Sequence, residues 1–183
     1  SPQAPQMRKR HVFITVAPGL AFLYGGECVA NGNLLPCRGD KSGWIFEQTT
    51  VDGFLSDDLG HWTANVTFEG DDNPPKCIAG AAFASLEWDD GRSFLVFGGE
   101  CENEAVQDAW LGNYRGFHTN THTIFWKKIP RDSSWPPHMV ADSQMANLQK
   151  NVLLLFGGKI VGTQKLSNNH DTYMITYAPS TNK

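Results

Sequence analysis

Phe94-Leu95-Val96-Phe97-Gly98-Gly99-Glu100-Cys101 is an apolar run that breaks at two glycines and then turns acidic. Four apolar residues ending in a glycine pair predict a buried strand that turns sharply, because glycine reaches positive φ without a Cβ clash. The stretch recurs as Ala21-Phe22-Leu23-Tyr24-Gly25-Gly26-Glu27-Cys28 and as Leu153-Leu154-Leu155-Phe156-Gly157-Gly158-Lys159. Self-similarity at long period is the mark of a repeat architecture, each copy being one supersecondary unit.

Around these copies the composition is that of a folded chain. With 40% hydrophobic and 19% charged residues over 183 positions, a sizeable core is within reach and disorder is excluded. Sparse charge beside 18 glycines and 10 prolines favours short strands and many turns, so the expected class is all-β. The formal net charge of -4 gives no electrostatic footprint for nucleic acid. Residues 7–11 are the one basic cluster, and they read as a solvated lead-in to a strand. No apolar run approaches the roughly 20 residues of a membrane span, and the N-terminus has no signal-peptide pattern. Because the chain begins at Ser1 and not at Met, sequence upstream is expected to be missing, a signal peptide being one candidate.

Three units follow from the turn signals, at about 7–75, 76–137 and 138–183. In the first, strands are expected at 11–16 and 20–24 around Pro18-Gly19, then a long loop over 27–42, then strands at 44–50 and 60–68. In the second, a hairpin spans 78–86 and 93–97 around Asp89-Asp90-Gly91, followed by strands beginning at Asp108 and at Thr123. The third reaches a strand over 171–177 and stops without a fourth.

A hairpin ending in an aromatic residue and Gly-Gly, an Asp before an aromatic strand, a Trp strand and a Pro turn are together similar to the kelch repeat. The middle unit carries the pattern best, in Gly98, Gly99, Asp108, Trp110, Trp126 and Pro130. In the first unit the Asp-plus-aromatic step is displaced to Asp40 and Trp44, and in the third the closing Trp is absent. The resemblance implies a kelch-type β-propeller segment of about three four-stranded blades, the last incomplete, forming a single partial propeller over 1–183. Propellers close with about four to eight blades, so the resemblance also implies further blades from the missing chain or a neighbouring subunit.

The four cysteines allow three pairings. Centring the middle hairpin on Asp89-Asp90 sets Cys77 opposite Cys101, within disulfide reach, and leaves Cys28 to pair with Cys37 across the long loop. Two such bridges point to an extracellular or secretory-lumen setting. Zinc binding lacks the close Cys-x2-Cys spacing, and free buried thiols are the other alternative. Asn65-Val66-Thr67 is a sequon for N-glycosylation at Asn65.

His118 and His122 flank Thr-Asn-Thr and read as a surface loop; Asp57-Asp58, Asp71-Asp72 and Asp89-Asp90 read as turn formers. Trp44, Trp62, Trp110 and Trp126 recur with the repeat and read as packing, whereas Trp88 and Trp135 lie near turns and are candidate partner contacts. No catalytic residue, cofactor or metal ligand is assigned. The expected function is a non-catalytic module that binds a protein or glycan. The alternatives are a secreted carbohydrate-active or galactose-oxidase-like enzyme with its site partly in missing blades, and a structural subunit completing a propeller with other chains.

Overall fold

A computed structural model describes residues 4–37, 43–48, 50–51, 54–55, 60–64, 66–70, 74–75, 77–90, 92–102, 104–106, 108–118, 121–131, 133, 135–136, 140–150, 152–161, 167–168 and 170–177. These residues are almost wholly β, with one short 3-10 turn at Glu87–Asp89.

Three sheets follow one another along the chain, each built on antiparallel strands in chain order. The first is Val12–Ala17, Leu20–Tyr24, Gly43–Glu47 and His61–Thr63. The second is Ala82–Leu86, Ser93–Phe97, Ala109–His118 and Thr121–Ile129. The third has Gln144–Gln149, Val152–Phe156 and Thr172–Thr176. Among the described residues no sheet closes on itself.

The middle hairpin holds the register its turn predicts, Ala82 facing Phe97 and Leu86 facing Ser93. Asp89 fixes that turn by accepting hydrogen bonds from the Ser93 amide at 2.9 Å and from the Asn113 side-chain amide at 2.8 Å. All three glycine pairs adopt positive φ, 63° and 85°, 65° and 91°, 69° and 95° in chain order. Their second members cannot carry a side chain, since a Cβ on Gly26, Gly99 or Gly158 would run into the backbone oxygen of Lys9, Ala79 or Ala141.

Two expectations are corrected. The 27–42 stretch is not wholly loop: Glu27–Ala30 and Asn33–Pro36 form a hairpin across Asn31-Gly32, whose φ values of 51° and 76° suit the tight Asn-Gly turn. The 60–68 strand is also two strands. His61–Thr63 stays in the first sheet, while Val66–Gly70 crosses over and pairs in parallel with Thr121–Ile129. The crossing seats Phe68 between the sheets, over a space that Gly43 leaves open.

Alternation along the strands gives each sheet apolar faces, and burying them stacks the sheets into two cores. Val12, Ile14, Phe22, Tyr24 and Ile45 of the first sheet pack on Phe94, Val96, Trp110, Ile124 and Trp126 of the second. On the second sheet's other face, Ala82, Ala84, Leu95, Phe97 and Ala109 pack on Leu153 and Leu155 of the third.

The leading strands of the three sheets lie side by side, tied by backbone hydrogen bonds that repeat. Arg10, Gly80 and Asp142, each two residues ahead of its leading strand, share φ values of 57°, 64° and 57°. The Gly80 amide donates to the Arg10 carbonyl at 2.8 Å, and the Asp142 amide donates to the Gly80 carbonyl at 2.6 Å. The glycine pairs repeat the pattern, Gly26 donating to Ile78 at 2.7 Å and Gly99 to Val140 at 2.9 Å. Each of these bonds joins one unit to the next.

Candidate partner-binding site

The outermost strand of the third sheet, Thr172–Thr176, pairs on one side with Val152–Phe156. Among the described residues no strand pairs with its other side. An unpaired strand edge is a row of backbone donors and acceptors ready to pair with another chain. Between this strand and the second sheet lies a cavity of about 550 Å³ whose wall includes Leu95, Phe97, Trp135, Tyr173 and Ile175.

The equivalent space one unit earlier is filled. There Trp126, fully buried, stands on the fourth strand of the second sheet with its ring 5.2 Å from Tyr24, 5.5 Å from Phe94 and 6.5 Å from Trp110. Counting from the glycine pairs, Phe97 takes the place of Tyr24 and Leu95 that of Phe22; from the strand registers, Tyr173 takes the place of Trp110. Trp135 lines the cavity in the place Phe68 takes in the earlier copy, its ring tilted 5.3 Å from Phe97 where Phe68 lies 5.5 Å from Tyr24. The Tyr173 hydroxyl donates to Asp171 at 3.0 Å, and burial followed by the Asp171 hydrogen bond raises its pKa. Burial also raises Tyr177, so both phenols are neutral near pH 7 and the wall carries no charge.

Of the residues singled out in the sequence, Trp135 is thus half-buried on this wall. The backbone of Trp88 lies in the 3-10 turn, and its side chain falls outside the described residues, as does Asn65. Cys28 pairs with Cys37 and Cys77 with Cys101, at Cα separations of 5.2 and 5.5 Å. Both bridges together use all four cysteines.

A second cavity, of about 350 Å³, opens beside the leading strands and is lined by Arg10, His11, Gly80, Phe83, Asp142 and Met145. The Arg10 guanidinium makes two bonds to Asp142, from Nε at 2.7 Å and from Nη2 at 3.1 Å, and meets Glu100 as well. Lys159 bonds Glu100 at 3.0 Å and lies 3.4 Å from Asp142, while Glu27 pairs with Lys9 at 3.4 Å. Burial works against the Arg10 charge, and the hydrogen bonds to Asp142 and Glu100 outweigh it, raising its pKa. Three cations against three carboxylates leave the group neutral, so it clasps the three units together more than it offers charge to a ligand. Gly80 makes the clasp possible, since a Cβ there would meet both the Asp142 carboxylate and the Arg10 guanidinium.

A second polar group joins the first sheet to the second and corrects the reading of His122 as part of a surface loop. His122 is only 2% exposed, on the strand Thr121–Ile129. Its Nδ1 lies 3.1 Å from the Tyr114 hydroxyl, its Nε2 meets Glu47, and the other Glu47 oxygen is 3.4 Å from His61. Burial raises the Tyr114 pKa, the Glu47 charge adds to this, and Arg92 opposes it. His122, Ile124 and Trp126 share the inward face at a spacing of two, which is the sequence signal that marks His122 as buried. Tyr114 carries the same mark through its spacing from Trp110 on one strand, whereas Glu47 carries none.

Among the described residues no group of three or more His, Cys, Asp or Glu is arranged to hold a metal ion. Among the same residues no helix is long and apolar enough to cross a membrane. Compared with protein-family models and with curated proteins, the chain matches none.

Proposed function

We propose that the chain is a segment of a kelch-type β-propeller acting as a non-catalytic binding module in an extracellular or luminal setting. The observation that supports this reading is the repeated bonding of the leading strands, Gly80 to Arg10 and Asp142 to Gly80, which sets three similar sheets side by side, as successive blades of a propeller would lie. The two disulfides are compatible with an oxidising compartment.

Stacked sheets leave an apolar face at each end of the series, and these faces favour a protein partner over a glycan. Phe13 is 45% exposed on the first sheet, and Phe156 and Met174 are 56% and 72% exposed on the third. Exposed apolar surface of this kind marks interaction sites. Further blades, from the rest of a longer chain or from a neighbouring subunit, would cover the same faces, which keeps the structural-subunit role as a variant of this reading.

The test is cross-linking and mass spectrometry on the protein isolated from its native setting, with Met174→Glu and Phe13→Glu as variants. The reading expects partner contacts at these end faces and loss of co-purification in the variants. A protein that isolates alone, with both variants indistinguishable from the parent, would refute it.

A further inference from the structure

We infer that the hairpin Glu27–Pro36 is a docking platform for a partner polypeptide segment that carries an arginine between aliphatic side chains. This rests on the binding-module reading and adds the chemistry of the partner.

Arg8–Lys9, Glu27–Ala30 and Asn33–Pro36 form a small three-stranded sheet. Val29 lies opposite Leu34, and its amide donates to the Met7 carbonyl at 3.3 Å, so Met7, Val29 and Leu34 fall in one row. Residues opposite each other in antiparallel strands share a face. All three are exposed, by 79%, 43% and 47%, and Leu35 beside them by 51%. Four of the eight large apolar side chains exposed among the described residues thus sit on or beside this one small sheet, a concentration that marks an interaction surface.

The internal repeat shows that the fold does not require them. Counted from the glycine pairs and the strand registers, Val29 corresponds to Glu102 in the second unit and Leu35 to Glu104, both exposed carboxylates. Apolar side chains where the same scaffold accepts glutamate are not there for packing. The Cys28–Cys37 bridge brackets the hairpin and the Cys37 amide donates to the Gly26 carbonyl at 2.9 Å, which holds the platform in place before a partner arrives.

The chemistry beside the row selects the partner. Between the hairpin and the second unit lies a cavity of about 270 Å³ with Leu34, Leu35 and Ile78 on its walls and Glu27, Glu100 and Glu102 around them; among the described residues no cation lines it. Lys9, Arg10 and Lys159 are matched in number by Glu27, Glu100 and Asp142, and Arg8 is turned to the Gly25 carbonyl at 3.1 Å, so the further carboxylates Glu102 and Glu104 tip the local balance to negative. Apolar walls with carboxylates among them suit a long side chain that has an apolar stem and a cationic head. Arginine suits them better than lysine, because its planar fork meets a carboxylate in two bonds and gives up its water more readily. Aliphatic neighbours of that arginine would cover the row of Met7, Val29 and Leu34. The same carboxylates repel an anionic membrane surface.

The experiment selects a phage-displayed library of random heptapeptides on the full chain and measures the enriched peptides, made synthetically, by calorimetry. Expected are sequences with an arginine flanked by leucine, isoleucine or valine. Val29→Thr combined with Leu34→Thr, which keeps strand propensity, should weaken their binding about tenfold. Glu102→Gln, which keeps the shape of the side chain, should weaken it about threefold, both with unchanged circular dichroism spectra. Failure to enrich any sequence, enrichment of peptides without a basic residue, or equal binding by the threonine variant overturns the inference. Binding to vesicles of phosphatidylcholine and phosphatidylserine that the threonine variant abolishes would assign the row to a membrane and overturn it too. Hydroxyl-radical footprinting of the partner-free protein should oxidise Met7 and Leu34, and protection there would mean that the protein covers the row itself, which also overturns it. If selection fails while Met174→Glu and Phe13→Glu still abolish co-purification, the platform alone is wrong and the module reading stands.

Discussion

Trp126 and Trp62 occupy the same position in successive units, yet replacing them should have very different consequences. Trp126 lies opposite Gly112 with no exposed surface, between the first and second sheets and among four aromatic rings at 5.2 to 6.5 Å. Truncating a fully buried tryptophan costs about 3–5 kcal/mol in lost transfer energy and unrelaxed cavity. The ring pairs favour the upper part of that range, so Trp126→Ala should cost about 4–5 kcal/mol. Trp62 is half-buried and packs on rings of its own sheet, Phe46 at 5.2 Å and Phe13 at 6.1 Å, on the face turned away from the second sheet. Its loss should cost about 1 kcal/mol. The difference of about 3–4 kcal/mol corresponds to a melting point roughly 10 °C lower for the Trp126 variant at this chain length. Trp126→Phe is a control: the indole N–H has no hydrogen-bond partner among the described residues, so removing it relieves an unsatisfied donor and the cost should fall to about 1–2 kcal/mol. Urea unfolding followed by far-ultraviolet circular dichroism measures all three without relying on tryptophan fluorescence. Equal losses for Trp126→Ala and Trp62→Ala would refute the stacked-sheet account, since the two would then differ in nothing but number.

Other consequences can be measured on the same material. Gly80→Ala should cost about 2–3 kcal/mol, from a φ of 64° and from separating Arg10 from Asp142, while Gly32→Ala, at φ 76° with open space around it, should cost about 1 kcal/mol. Reducing Cys77–Cys101, which spans 24 residues, should cost about 3.5 kcal/mol, and reducing Cys28–Cys37, which spans 9, about 2.7 kcal/mol in the chain-entropy view; paired serine variants in urea would show it. Burial, reinforced by the Arg8 charge, holds His11 below its ordinary value of 6.5 in the folded state. The unfolded chain therefore takes up the proton first, so stability should be full above pH 6.5 and fall as pH drops through the folded pKa, a slope that His11→Gln should reduce in urea midpoints from pH 7 to 5. Asp89→Ala leaves the Ser93 amide without its acceptor and the Asn113 side chain with only the Ser93 hydroxyl, and should cost about 1–3 kcal/mol by the same titration.

What could be read from the sequence was what short-range chemistry dictates. The Gly-Gly turns need positive φ and have it, and the register of Ala82–Leu86 on Ser93–Phe97 follows from the Asp89-Asp90 turn. The partnering of the four cysteines followed from that register. Asn31-Gly32 was an equally clear turn signal, and the hairpin it makes was obscured only by the prolines and cysteines around it. Two features were beyond reach for a physical reason. Val66–Gly70 reads as a continuation of His61–Thr63, and only the packing of Phe68 against Phe22 and Tyr24 directs it to the next sheet. The Glu47, His122 and Tyr114 group draws on strands far apart in sequence, as does the cavity beside Thr172–Thr176, and neither exists until the sheets have stacked.

The central claim is that the three sheets are joined at their leading strands. Backbone amide exchange, resolved by nuclear magnetic resonance, addresses it at Gly26, Gly80, Gly99 and Asp142. These four lie outside the strands, and each donates only across a unit boundary, to Ile78, Arg10, Val140 and Gly80 at 2.6 to 2.9 Å. The account predicts protection close to that of the core amides of Ser93–Phe97, lost only with global unfolding. Exchange at the rate of solvent-exposed turns, with the strands still protected, would mean three separate meanders and would contradict it.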